Sequence, residues 1–468
     1  MVDRGAVLDN ARYLRNVRPI DPEEIREYVE GRPHPAVVRQ IVREAAFDLG
    51  VIEREDGTFV PVPEGPVDPH LETVTAFPEL YARRLEGRLV ERYGHDWHRG
   101  ESGDRLRETI RQTKERYFEQ DEVEYDAVAA DGYAIYHLPD FYAAVQYVLE
   151  DLARGSLLPR RLRVLDVGAG VGGPALGLFD YLPDDALVEY HAVEPAASAD
   201  VLSAMLEGTG RNVRTTVHRK RIEDFEADAE YDLLLFANVL NELADPVPVV
   251  EHLLDRLVPE GTCVLLAPAD ENTSRHLRGV ERAVEGRTTD AGTVGVYGPE
   301  PRLWPGETPS DGGWSFDVRP DLAVPPFQRR LDDAGGATGE FVNVDVQFSP
   351  AILRVDGRER YAFSPDPDRW AKLAATEDHV TKRIDCLGVK LSHDLSDGGN
   401  PLFRVGDGSQ SVDHYAVLVK ETGLNRDVVV ADYGDLLTME GVLALWNDDE
   451  GAYNLVVDEE TVVDRVPP

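Results

Sequence analysis

The run RLRVLDVGAGVGGP, residues 161–174, constrains this chain more than any other segment. Arg163 to Val167 reads as a short buried strand. Asp166 stands near its end, and Gly168, Gly170 and Gly172 follow at alternate positions before a helix expected over residues 174–182. Glycines at a strand-to-helix turn let the backbone bend sharply and approach a ligand closely. A second apolar strand, LVEYHAVEP, then ends in Glu194. An acid at the tip of the second strand is placed to accept hydrogen bonds from ribose hydroxyls. The strand–turn–helix series continues to about residue 350, so the expected class is α/β with a Rossmann-like core.

Two nucleotide chemistries compete for this motif. Gly168-x-Gly170-x-x-Gly173 satisfies the dinucleotide fingerprint. Asp166, two residues before the first glycine, favours S-adenosylmethionine (SAM), because an acid there reaches the positively charged methionyl end and repels a pyrophosphate. The downstream order agrees. Ile222-Glu223-Asp224 follows the third strand, where SAM enzymes often hold adenine. Residues 231–245 read as a fourth strand running into a helix at Asn238–Leu243, beside the sulfonium in such folds. The expected cofactor-binding set is therefore Asp166, Gly168, Gly170, Gly172, Glu194, Glu223, Asp224 and Asn238. No catalytic residue is assigned. Neither an Asn/Asp-Pro-Pro-Phe/Tyr amine motif nor a methylating cysteine follows the fourth strand.

Around this core the chain divides by composition. Residues 1–70 read as helices followed by a hairpin at Asp56-Gly57, the pattern of a winged-helix-like module or of a plain structural domain. Residues 71–130 are helical and charged. On a helix expected over 104–118, Leu106, Ile110 and Tyr117 share one side, while Arg107, Arg111 and Lys114 form a second stripe, either a solvated face or a phosphate-contacting one. Residues 131–350 form the SAM-binding domain, with an apolar helix over 134–153 interrupted near Pro139 and a Pro/Gly-rich insertion at 298–327. The basic run His218, Arg219, Lys220 and Arg221 reads as a solvated loop. Residues 385–468 alternate short apolar runs with Gly/Asp turns, as a small antiparallel β barrel does. Phe403, Arg404, His414, Tyr415 and Lys420 are its candidate RNA contacts, with Phe403 and Tyr415 equally readable as core.

Charge narrows the setting. Asp and Glu total 88 against 49 Lys and Arg, a net charge of −39 spread along the chain, and only six of the basic residues are lysines. Distributed acid with little lysine suits a high-salt cytoplasm, where self-repulsion is screened. The charged start of the chain is unlike a signal peptide and no segment is apolar enough to span a membrane, so the expected compartment is cytoplasmic, with no membrane partner. The two cysteines, Cys263 and Cys386, exclude a disulfide scaffold and an all-cysteine metal site within one chain.

The chain resembles the Rsm-twenty-two family of methyltransferase-like proteins of the small ribosomal subunit. Tyr133-Ala-Ile-Tyr-His-Leu-Pro-Asp-Phe-Tyr-Ala-Ala-Val resembles the family's Tyr/Ala-rich helix with a central proline. The glycine motif and Asn238–Leu243 follow at matching intervals. Val430-Ala-Asp-Tyr-Gly-Asp-Leu-Leu resembles the family's strand ending in Trp/Tyr-Gly-Asp-Leu-Leu. The resemblance covers roughly residues 125–445. It implies a SAM-binding protein acting on the small subunit or its rRNA, with a non-catalytic assembly factor or a small-molecule methyltransferase as alternatives. Many members hold an iron–sulfur cluster on a run of cysteines before the β domain. This chain has Glu300-Pro-Arg-Leu-Trp304-Pro and Gly313-Trp-Ser-Phe316 there, so no metal and no cluster is expected.

Overall fold

The structure, a computed structural model, describes residues 2–119, 126–195, 197–336 and 338–468, without the side chains of 117–119. It divides into two compact units. The first comprises residues 1–225, 230–233 and 324–343, and the second 226–229, 234–323 and 344–468.

The first unit opens with helices α1 (Arg4–Arg15), α2 (Pro22–Ile25), α3 (Pro35–Glu44) and α4 (Ala46–Leu49), then strands β1 (Val51–Glu53) and β2 (Phe59–Pro61). The boundaries follow local chemistry. The Asp21 side chain accepts from the Glu23 amide at 2.8 Å with Pro22 at the first helical position, and Gly50 ends α4 at φ 60°. Val38, Ile41 and Val42 of α3 pack with Val7, Ala11, Ile20, Ile25 and Phe59 into one core. This is the expected order of helices and hairpin. The basic residues of α3 meet an acid of their own module: Arg43 makes two hydrogen bonds to buried Glu53, at 2.5 and 2.7 Å, and Arg39 lies 3.7 Å from the same carboxylate.

Helices α5 (Glu79–Tyr93), α6 (Gly100–Glu119) and α7 (Ala127–Arg154) follow. Each basic residue of the stripe on α6 has a partner within the unit. Arg107 is buried and donates to the His98 and Leu331 carbonyls at 2.9 and 3.0 Å. Arg111 holds Glu340 at 2.6 and 2.8 Å, and Lys114 donates to the Tyr136 hydroxyl at 3.0 Å. The side chain of Tyr117 lies outside the described residues.

Helix α7 is unbroken through Pro139, against the expected interruption. A proline in a helix leaves the carbonyl four residues earlier without its amide donor. Here the buried side chain of Gln328 supplies one: its Nε2 donates to Ile135 O at 2.9 Å and Tyr136 O at 3.1 Å.

The core of the unit is β3 (Arg161–Val167), α8 (Gly173–Tyr181), β4 (Leu187–Val193), α9 (Ser198–Met205) and β5 (Val213–His218), with the start of β6 (Tyr231–Ala237). The strand order is β5-β4-β3-β6. β3 and β4 run parallel from Arg161↔Leu187 to Val167↔Val193, and β4 and β5 from Val188↔Val213 to Val193↔His218. Parallel strands joined by helices are the Rossmann-like α/β arrangement that the glycine motif implies.

The second unit continues with α10 (Pro246–Leu254), β7 (Leu257–Pro268), α11 (Glu271–Val284), β8 (Gly295–Gly298), β9 (Asp317–Arg319) and β10 (Val346–Arg354). The order is β6-β7-β10-β8, with β9 also on β10, and β10 is antiparallel to β7, β8 and β9. Strands β11 (Arg383–Lys390), β12 (Leu402–Gly406), β13 (His414–Leu418), β14 (Leu436–Asn447), β15 (Ala452–Val457) and β16 (Val462–Val466) form a six-stranded sheet in the order β11-β12-β13-β15-β14-β16, closed by a β11–β14 pairing. This is the small barrel, but it is mixed: β13 runs parallel to β15 from His414↔Tyr453 to Leu418↔Val457. The long connection from Val419 through β14 supplies the crossover that a parallel pair needs.

The barrel's expected RNA contacts are mostly interior. Phe403, Arg404 and His414 are buried, Tyr415 is half-buried and Lys420 is exposed. Phe403 belongs to the barrel core and lies under the Lys390 ammonium, 4.2 Å from its ring centroid. His414 Nε2 is 2.9 Å from Thr376 Oγ1. Arg404 pairs with Asp311 and, at 3.0 Å, with Asp413.

Arg404 is one corner of a buried charge network. Arg282 also holds Asp311. Arg278 pairs with Glu281 and donates to Pro350 O, and Arg302 reaches Glu281 at 2.9 Å and Glu285 at 3.0 Å. Gln410 donates to Glu300, and Trp304 Nε1 donates to Asp407 at 2.7 Å. The cysteine-free insertion is thus fixed by ion pairs and aromatic anchors. Cys263 and Cys386 are both buried.

Candidate functional site

Three consecutive alternate glycines build the turn after β3. Gly168, Gly170 and Gly172 have φ of 64°, 53° and 96°, a region that side chains disfavour. The Gly168 and Ala169 amides donate to Val193 O at 2.9 and 3.3 Å, and the Gly170 amide donates to Glu194 Oε2 at 2.9 Å. The end of β4 therefore holds the loop. The glycines differ in what surrounds them. A Cβ on Gly172 would meet Leu202 Cδ1 at 2.8 Å, and one on Gly173 would meet Phe141 Cβ at 2.9 Å and Leu138 O at 3.1 Å. On Gly170 the nearest atom is Gly168 O at 3.9 Å, so the space beside it is open.

Asp166 is fully buried. Its Oδ2 accepts from the Tyr190 hydroxyl at 2.5 Å, and its Oδ1 has no partner. Burial foremost, and then the charge of Glu194, push its carboxyl up to about 7 against the pull of Tyr190. An unsatisfied buried polar atom costs about 1–3 kcal/mol, so a donor from outside the chain would be stabilising here. A cationic ligand group would also offset the paired acids. The open space at Gly170, the orphan oxygen and the second buried acid, Glu194, all fit the methionyl end and ribose of SAM.

The other expected residues are placed as follows. Glu223 and Asp224 are exposed in a 3-10 turn, Ile222–Asp224, that follows β5, and Glu223 pairs with Arg221 at 3.5 Å. The amide of Glu194 donates to His218 O, at the end of that same strand, at 3.1 Å. Asn238 belongs to the second unit. It has φ 59° and donates its amide to Leu266 O at 2.9 Å. The helix expected over 238–243 is instead a 3-10 turn, Leu240–Glu242, and α10 begins only at Pro246. A left-handed asparagine after a strand breaks the run into a helix. In the basic run, Arg219 holds Asp200 at 2.7 Å and His218 stacks on His191, so most of it is absorbed locally.

One cluster escaped the sequence reading. On α7, the rings of Tyr133, His137 and Phe141 lie one turn apart, with centroids 4.7 and 4.9 Å apart, the first pair tilted and the second stacked. His137 Nδ1 lies 3.2 Å from Asp140 Oδ2, and Asn343 Nδ2 lies 2.9 Å from the same oxygen. Asp140 Oδ1 is buried without a partner. Burial pushes the Asp140 carboxyl up, with His137 and Asn343 pulling it back. The spacing of aromatics at i, i+4 and i+8 is a visible signal. Asn343, two hundred residues away, is not.

A methyltransferase-domain profile matches residues 165–263. Profiles for the N-terminal and C-terminal domains of a family of unknown function, DUF8157, match residues 4–55 and 374–466. A search of curated proteins finds no match. Among solved structures, the plantazolicin methyltransferase BpumL in complex with SAH is similar at 12% identity over 59% of this chain and 99% of that one, with a TM-score of 0.31. The sugar N-methyltransferase KedS8 from Streptoalloteichus sp. is similar at 22% identity over 26% of this chain and 47% of its own, less than two thirds, with a TM-score of 0.21. A putative RNA methyltransferase from Pyrococcus horikoshii is similar at 11% identity over 46% and 82%, with a TM-score of 0.26. TM-scores this low carry no inference about substrate. Among the described residues no helix is long and apolar enough to cross a membrane, and no group of three or more His, Cys, Asp or Glu could hold a metal. Residues 165–263 are a SAM-dependent methyltransferase-like domain, and S-adenosylmethionine is its cofactor.

Proposed function

We propose that this chain is a SAM-dependent methyltransferase-like factor that acts on the small ribosomal subunit or its rRNA. The observation that carries the cofactor half is the buried, half-satisfied Asp166 beside the open glycine turn. Asp166 would hold the methionyl ammonium, the Gly168–Gly172 backbone would lie against the ligand, and Glu194 would take the ribose hydroxyls. Bound SAM supplies an electrophilic methyl group on a sulfonium. The protein's part is to orient it, exclude water and accept a proton from the acceptor. The ribosomal half is supported by the likeness of residues 133–145 and 430–437 to the small-subunit family.

Sedimentation tests both halves. Native lysate in molar KCl is resolved on a gradient, and the fractions are probed for the chain and for methyl label carried from SAM. Comigration with small subunits, with label in their rRNA, is expected. A chain that stays at the top of the gradient overturns the ribosomal reading and favours a small-molecule enzyme. Comigration with SAM bound and no label favours an assembly factor that keeps the domain as a scaffold.

A further inference from the structure

We propose that His137 is the base that takes the proton from the methyl-accepting group, with Asp140 and Asn343 as its positioning residues. This rests on the methyl-transfer reading above and deepens it. It also names the acceptor class: a nitrogen or oxygen that carries a proton.

The placement comes from how α7 and α8 pack. Gly173 lies against Leu138 and Phe141, and Gly177 lies against Tyr142 and Val145. Both helices therefore advance in the same direction along their contact. α8 begins at the glycine turn and runs away from it. Residues of α7 before Leu138 must then extend past the start of α8, on the side of the turn. Tyr133 and His137 occupy this overhang, about 12 and 6 Å of helix before Phe141 at 1.5 Å per residue.

The imidazole is held for the task. Its ring stacks on Phe141, with Tyr133 tilted against it and Tyr136 edge-on, ring centroids 4.9, 4.7 and 4.9 Å away. Nδ1 lies 3.2 Å from both Asp140 Oδ2 and Asn343 Nδ2; in the tautomer that donates Nδ1–H to the Asp140 carboxylate, the lone pair is on Nε2. Nε2 takes no hydrogen bond among the described residues, and the side chain is 26% exposed. Asn343 donates to the same Asp140 oxygen. Its own backbone is clamped by Gln328, whose Oε1 accepts from Asn343 N at 3.1 Å and whose Nε2 donates to Asn343 O at 3.3 Å. That Nε2 also takes the carbonyl that Pro139 leaves without a donor. The proline in the helix and the dyad are thus tied together by one buried glutamine.

The step balances without a further reactant. The acceptor's lone pair bonds to the methyl carbon as the carbon–sulfur pair goes to sulfur, giving S-adenosylhomocysteine (SAH). The acceptor's proton goes to His137 Nε2 and then to water.

The test uses the full chain in molar KCl. Diethyl pyrocarbonate acylates neutral imidazole nitrogen, and peptide mass spectrometry reads the rate at His137 with and without SAH. SAH is expected to slow it about tenfold, and an unchanged rate overturns the proposal. SAH binding itself is read by calorimetry; its absence overturns the cofactor reading rather than the base. Single-turnover transfer from labelled SAM to small subunits is then compared across variants. His137→Asn is expected to lose about 100-fold in rate, as removal of a general base does, with SAM affinity within twofold of wild type. Asp140→Asn should lower the rate about tenfold at unchanged KM, as expected when the base is only misoriented. A His137→Asn rate within threefold of wild type, or a wild-type chain that binds SAM and transfers nothing, overturns the assignment. Should His137→Asn melt early, the acylation rate of the wild type still decides.

Discussion

Two sites of this molecule bury carboxylates, and they do so in opposite ways. In the second unit, Asp311 and Glu281 are each held by two arginines: Arg282 and Arg404 on one, Arg278 and Arg302 on the other. In the first unit, Asp166 and Asp140 each keep one buried oxygen with no partner. Burying a charge is expensive in both places. Where the chain itself answers the charge, the acids fix structure. Where an atom is left unanswered, as on Asp166, a ligand group can be its partner. Pairing, more than burial, separates the two sets of acids.

The largest expected effect breaks the paired side. Asp311→Asn should destabilise the protein by about 3–5 kcal/mol, because Arg282 loses its counter-charge and buried Arg404 keeps only Asp413. Asp166→Asn should cost the ligand-free protein no stability at pH 8. Chemical denaturation of the two variants checks this, and equal losses would erase the distinction. For the same reason, ending the chain near residue 384 should unfold the second unit rather than detach a module, since Arg404, Asp407 and Gln410 would go with it.

Next comes the turn. Gly170→Val should lower SAM affinity at least 100-fold while the melting temperature changes little beyond the strain of φ 53°. Gly172→Ala should instead act on folding, because its Cβ meets Leu202. Calorimetry beside melting separates the two outcomes.

A smaller effect follows from Asp166. Its folded carboxyl titrates near 7, above the unfolded value of 3.8. A raised acid binds its proton more tightly when folded. Its contribution to stability is full below about pH 4 and is lost as pH rises through 7. SAM affinity should run the other way and strengthen from pH 6 to 8 as the carboxylate forms. Asp166→Asn should flatten both profiles, and an unaltered affinity profile would remove Asp166 from the site.

How much of this was legible follows from where each partner sits in the chain. The glycine turn, Asp166 and Glu194 could be read directly, because strand, turn and helix are contiguous and their chemistry is local. The basic stripe on α6 was open to two readings, because what decides it, Glu340 on Arg111 and the Leu331 carbonyl on Arg107, lies more than two hundred residues away. The unbroken course of α7 through Pro139 depends on Gln328, equally remote. Arg404 looked like a surface cation until Asp311 was placed beside it. Alternation marks which barrel residues share a face. It does not say that the insertion covers the outer face as well.

The smallest predicted shift concerns the acid surface as a whole. With 88 acids against 49 bases, raising KCl from low to molar should stabilise the fold by about 1 kcal/mol or more, a rise of about 2–4 °C in Tm. A Tm that falls across that range would mean the acid excess is matched to a basic partner instead.

The central claim is that Asp166, buried and half-satisfied beside the glycine turn, is there for SAM. Titration calorimetry of SAM and of NAD into the full wild-type chain, at pH 8 in molar KCl, tests it most directly. One-site binding of SAM and no heat from NAD is the predicted result. Tight NAD binding, or no binding of SAM, would contradict it.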